Sequence, residues 1–119
     1  MKYLLIHRVA EPAPGPEDDP AIASSLVGWL DEMTARGVLV TGDRLRPVSD
    51  TTTVRIRDDE LLLADGPFAE TKEQVAGFDV IDCKDLDEAV EVASKHPTAR
   101  LGTIEIRPLL TGWRHELSR

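Results

Sequence analysis

The chain has 119 residues, 22 of them acidic and 14 basic, for a formal net charge of −8 at neutral pH. That is the length of one domain with a real core, and the acidic balance argues against a nucleic-acid partner, because a negative surface repels a polyanion. The single cysteine, Cys83, excludes an internal disulfide and suits a reducing compartment; the apolar run in Met1–His7 is too short for a secretory signal, and no run reaches membrane-spanning length, so a soluble cytoplasmic protein is expected.

Lys2–His7 reads as a first strand, with Lys2, Leu4 and Ile6 on one face and Tyr3, Leu5 and His7 on the other. Residues 11–17 carry three prolines and a glycine and predict a surface loop. Asp19 as N-cap and Pro20 at the first helical position open a helix. Ile22, Leu26, Trp29, Leu30 and Met33 recur at helical spacing, and Gly37 ends the helix as a left-handed cap. Val38–Thr41 follows as a second strand. Thr51–Arg57 is β-branched and alternating; with a turn at Asp58-Asp59 and a return over Glu60–Ala64 it predicts a hairpin. Val75–Asp82 is the next strand, with Ala76, Phe78 and Val80 opposed to Gly77, Asp79 and Ile81. Asp85 caps a second helix, with Glu88 three residues on and Leu86, Ala89, Val90 and Ala93 as its buried stripe. His96-Pro97 ends it, where a protonated imidazole would gain from the helix dipole. Thr103–Arg107 is the last strand, stopped by Pro108.

Between hairpin and third core strand lies Asp65-Gly66-Pro67-Phe68-Ala69-Glu70-Thr71-Lys72-Glu73. Gly66 supplies a positive φ, Pro67 locks its own φ, and Phe68 is expected to anchor the turn in a core. The charges that follow make either a binding rim or the end of a turn that aims the next strand.

The order β-α-β, hairpin, β-α-β predicts an α+β, ferredoxin-like βαββαβ subunit with an inserted β-hairpin arm and both helices on one sheet face. On this parity the uncovered face carries Tyr3, Leu5, His7, Leu39, Gly77, Ile81 and Thr103. That face is too apolar for water, and its simplest cover is a second copy, giving a two-fold homodimer. Residues 1–110 form the domain and 111–119 a tail.

The stretch from Thr51 to Glu73, together with Gly77–Asp82, Asp85–Ala89 and Gly102–Pro108, resembles the DGPF branch of the YCII-related family. The resemblance implies a dimeric α/β barrel of ferredoxin-like subunits. It also implies a connection, in some members, with sigma factors of the extracytoplasmic-function type. The wider family includes members proposed to act through a His–Asp pair, one a dehydrochlorinase of a chlorinated hydroxyquinol. The resemblance sets that helical His near Ser25 and that Asp near His96, so the chain lacks the pair as such.

Two groups of residues are candidates for chemistry. His7, Thr41, Asp79, Glu105 and Arg107 are expected to project into the cavity between the dimer's sheets, where a carboxylate beside an imidazole is a minimal acid/base pair; ion pairs that fix the dimer are the competing role for Glu105 and Arg107. His7 and Asp79 are the catalytic candidates. Asp65, Glu70 and Lys72, at the signature turn, join Glu105 and Arg107 as candidate substrate-binding residues, with Lys72 and Arg107 set to orient an anion. No metal site is expected, because His7, His96 and His115 have no paired spacing. No cofactor is expected either, since no phosphate loop, dinucleotide fingerprint or nucleophile elbow occurs. Cys83 reads as a small core residue. Two functions follow: a cofactor-free acid/base enzyme or binder of a small molecule, or a regulatory interaction module connected with sigma-factor signalling.

Overall fold

A computed structural model describes residues 1–118. Strands β1 (Lys2–Val9), β2 (Leu39–Arg44), β5 (Gln74–Asp82) and β6 (Thr103–Pro108) form one antiparallel sheet in the order β2-β5-β1-β6, while β3 (Thr52–Arg57) and β4 (Glu60–Asp65) pair only with each other. Helix α1 (Pro20–Ala35) joins β1 to β2, and α2 (Leu86–Ser94) with the short α3 (Thr98–Leu101) joins β5 to β6. Each βαβ unit is split by a strand of the other, which is the ferredoxin-like arrangement. A last helix, α4 (Trp113–Leu117), lies in the tail.

Local chemistry explains the element ends. Asp19 accepts a hydrogen bond from the Ala21 amide at the start of α1, Pro20 follows it, and Gly37, at φ 70°, turns the chain out. Asp85 accepts from the Glu88 amide, and Glu88 reaches back to the Lys84 amide, one residue before the cap. Asp58 and Asp59 both adopt positive φ, the requirement of a two-residue hairpin turn.

The core lies between the helices and one sheet face. Tyr3, Leu5 and Ile81 meet Trp29 and Met33 of α1 and Ala89, Val92 and Ala93 of α2. Leu5, Met33, Ile81 and Val92 are essentially fully buried, a burial that contributes about 1.5–3 kcal/mol for each side chain. Val92 takes the inward place expected of Leu86 and Val90, both about half exposed.

Two expectations are corrected here. The face carrying Tyr3, Leu5, His7, Gly77 and Ile81 is the one the helices cover. Alternation sorts side chains into two sets correctly, but it does not say which set meets the helices; the direction of the crossover does. The open face instead carries Leu4, Ile6, Phe78 and Val80, each partly exposed, and Thr103, opposite Arg8, belongs to it. Phe68 is no core anchor. The turn at Gly66 (φ 91°) and Pro67 leaves its ring 75% exposed, with the Arg55 guanidinium 5.1 Å from its centroid.

A charged clip ties α1 to α2. Arg36 bonds Glu32 at 3.0 Å and Glu91 at 2.8 Å, and Lys95 bonds Glu32 at 2.8 Å and Glu91 at 3.1 Å. The Arg36 guanidinium holds the Glu91 carboxyl at about 2, well below its ordinary 4.5. A depressed carboxyl stabilises the fold above its unfolded value and loses that contribution as the pH falls from about 4.5 towards 2. The groups are solvated, so the magnitude is small. Arg36→Gln is expected to lower stability slightly at low salt and by less at high salt. Urea denaturation at two ionic strengths measures this; an equal loss at both would show that the clip works through packing.

Candidate functional site

Three buried polar side chains meet under the helices. His7 comes from β1 and Asp79 from β5. His7 lies opposite Gly77 and Leu5 opposite Asp79, so His7 and Asp79 are diagonal neighbours on the core face. The His7 Nε2 to Asp79 Oδ2 distance is 2.7 Å, with both residues less than a tenth exposed. A carboxylate only accepts, so Nε2 carries the proton and Nδ1 of the neutral ring keeps its lone pair. That Nδ1 is buried and has no hydrogen-bond partner among the described residues. Buried polar atoms are otherwise nearly always paired.

The third group, His96, stands in the turn between α2 and α3. Its Nδ1 accepts from the Thr98 amide at 3.0 Å, which places its own proton on Nε2, 3.8 Å from the same Asp79 oxygen. Its ring stacks on His7 with centroids 4.1 Å apart, and the edge of Trp29 packs against it at 4.7 Å. Trp29 is itself held by its indole N–H donating to the Val92 carbonyl at 2.9 Å. Burial, reinforced by the neighbouring His7, pushes the His96 pKa down to about 3. Desolvation therefore outweighs the helix dipole that a charged imidazole would exploit at this position.

Gly42 makes room for the carboxylate. It lies opposite Asp79 on the edge strand β2, and a Cβ there would collide with Asp79 Oδ1 and stand 2.7 Å from the Phe78 carbonyl. A glycine inside a strand marks such a close approach.

His7, Asp79 and His96 also have the composition of a metal-binding trio, with ligand atoms within 4.8 Å of one another. In the arrangement described, the rings would have to turn before both could ligate one ion. Metal ligation at His96 Nε2 requires the lone pair that the Thr98 amide forces onto Nδ1. The two stacked rings are inclined by only 24°, so no point lies in both ring planes at bonding distance from each.

Of the candidates expected in one cavity, only His7 and Asp79 come together. Glu105 and Arg107 stand opposite Ile6 and Leu4 on the other sheet face, where Glu105 pairs with Arg8. Thr41, opposite Val80, is on that face as well. Asp65 ends β4 opposite Thr52 and is exposed. Glu70 and Lys72 line an open hollow of about 400 Å³ with Glu11, Ser49 and Pro67; it adjoins a second hollow of about 390 Å³ beside Arg46 and Asp50. Neither contains His7, Asp79 or His96. Cys83 is buried, and burial with the nearby Glu88 pushes its thiol up to about 11, which keeps it inert.

Two measurements test this geometry. Folded His96 is neutral while the unfolded chain takes up its proton below about 6.5. Its contribution is therefore present above that pH and is lost as the pH falls towards 3, with a slope of at most about 1.4 kcal/mol per pH unit. Between pH 6.5 and 4.5, above the range of Glu91, His96→Gln should flatten the stability profile; an unchanged slope would refute the assignment. Gly42→Ala should shift the His7 ring ¹⁵N resonances away from the Nε2–H form and cost about 1–3 kcal/mol through overpacking. Unchanged His7 resonances would show that Asp79 does not depend on this space.

The YCII-related domain model matches residues 1–113. An uncharacterised protein of Rhizobium meliloti (strain 1021) is 39% identical over 95 residues, covering 78% of this chain and 77% of the relative. No helix of the described residues is long and apolar enough to cross a membrane. With its ferredoxin-like sheet and a family match over nearly its whole length, the chain belongs to the YCII-related domain family.

Proposed function

We propose that the protein is a cofactor-independent acid/base catalyst of the lyase or isomerase type acting on a small molecule, with His7 as the base. The observation that carries this reading is the orphaned Nδ1 of a buried imidazole whose other nitrogen is held by Asp79. A carboxylate that fixes the tautomer and steadies the imidazolium is the same division of labour found in hydrolytic triads. Nδ1 is buried and borders neither hollow, so substrate reaches it only when the helices shift off the sheet; Nδ1 then takes a proton from an acidic C–H or O–H. Asp79, 2.7 Å away, compensates the positive charge that forms on His7. Neutral His96 adds no second positive charge beside it. The proton then returns to another atom of the substrate, as in an isomerisation, or passes to a departing group that leaves with its bonding electrons, as in an elimination.

This reading places the chemistry on the helix side of the sheet, away from an inter-sheet cavity. Arg107 and Lys72 are then too remote to orient an anion at His7, and a neutral substrate suits a site whose one formal charge is the Asp79 carboxylate. A homodimer belongs to the same proposal as the cover for Leu4, Ile6, Phe78 and Val80. A second reading, a regulatory module for a protein partner such as a sigma factor, is favoured by the same partly exposed face and by the exposed arm.

Thermal unfolding against small metabolites, with and without divalent metals, separates the two. A ligand at a hundredfold excess over its dissociation constant stabilises the native state by about 2.7 kcal/mol. Asp79→Asn keeps the shape but allows the amide to present its N–H₂ and reverse the His7 tautomer. It is expected to lower turnover of a hit by about 10²–10⁴-fold while the fold is retained. A hit whose turnover ignores Asp79→Asn would overturn the catalytic assignment, and a library without hits would favour the protein-partner reading.

A further inference from the structure

We propose that the β3–β4 arm is an intersubunit clasp whose apolar face packs on a second copy of this chain. The register sets Val54 opposite Leu63 and Ile56 opposite Leu61, so these four side chains share one face. They are 60%, 65%, 63% and 59% exposed, respectively. The arm pairs with no strand of the main sheet. A two-stranded hairpin is marginal by itself in water, and an uncovered aliphatic face on such an element marks an interaction surface.

The dimensions of the protomer identify the occupant. Its accessible surface is 8476 Å² for a mass of 13.1 kDa, whereas a self-sufficient monomer of that mass exposes about 6,400 Å². The excess of about 2,000 Å² per chain falls within the per-subunit share of an obligate homodimer interface. The radius of gyration, 16.6 Å against about 13.5 Å for a compact chain of this length, points the same way. A shape this incomplete belongs to a chain whose partner is always present in equal amount, and a second copy meets that condition. Two-fold symmetry would cover both arms through one repeated contact. At a net charge of −8 two copies repel each other, and the arm's stripe offers them an uncharged surface on which to meet.

The inference rests on the homodimer proposed above and adds the arm to it. Sedimentation velocity on the full chain over a concentration series reads the dimer dissociation constant. Ile56→Thr combined with Leu63→Thr keeps β-propensity but removes the stripe, and should raise that constant about a hundredfold or more. Far-UV circular dichroism checks that the variant folds. Hydrogen exchange on the unaltered protein supplies an independent arm of the test: amides of residues 52–65 should gain protection with increasing concentration. A chain that is monomeric at every concentration would overturn both the homodimer and the clasp. A stable dimer whose arm amides stay unprotected, or whose dissociation constant ignores the double substitution, would overturn the clasp alone and leave the sheet-face dimer standing.

Discussion

A carboxylate inside the core is the constraint around which this protein is arranged. Asp79 stands in the middle of a central strand on the face that the helices cover. A buried charge without partners costs several kcal/mol, and each neighbouring element contributes to meeting that cost. Strand β1 supplies the His7 N–H, the turn after α2 brings His96 to 3.8 Å, and β2 supplies space through Gly42. Trp29 of α1 then fixes the outer ring by packing its edge on His96 and tying its indole to α2. The polar cluster and the hydrophobic core are therefore one structure, since Trp29 belongs to both.

Satisfaction of the cluster is incomplete in one place. Asp79 and the Thr98 amide leave His7 and His96 in defined tautomers, and the only buried side-chain polar atom without a partner among the described residues is His7 Nδ1. Natural cores rarely leave such an atom unpaired, and an ordered water, a ligand or a reacting group can each supply the missing partner. Burial holds His96 uncharged, while His7 keeps its Nε2 on the Asp79 carboxylate, so the two stacked imidazoles have different partners.

The rest of the chain is built more loosely. The charged clip between α1 and α2 and the signature turn are exposed, and their ionic contacts contribute little each. The arm buries almost nothing within its own chain. The aliphatic side chains Val54, Ile56, Leu61 and Leu63 of the arm are exposed and add to an accessible surface that is large for the mass.

Short-range chemistry made most of the fold legible in the amino-acid order. Caps at Asp19 and Asp85, the stop at Gly37, the Asp58-Asp59 turn and the two-residue alternation of β1 and β5 are each decided within a few residues of chain. So the six strands and the two longer helices, their order and the placing of His7 with Asp79 on one face could be read directly, while the short α3 and α4 could not. The side of the sheet on which the helices lie could not, because alternation is symmetric between two faces and only the crossovers break that symmetry. The places of His96 and Trp29 in the cluster were hidden for a related reason: His96 stacks on His7 across about ninety residues of sequence and Trp29 packs on His96 across nearly seventy, through the packing of α1 and α2 on the sheet. The pattern of residues determined what could stand together on a strand, and tertiary packing decided which of those faces would be dry, and hence that a histidine and an aspartate would meet inside the core.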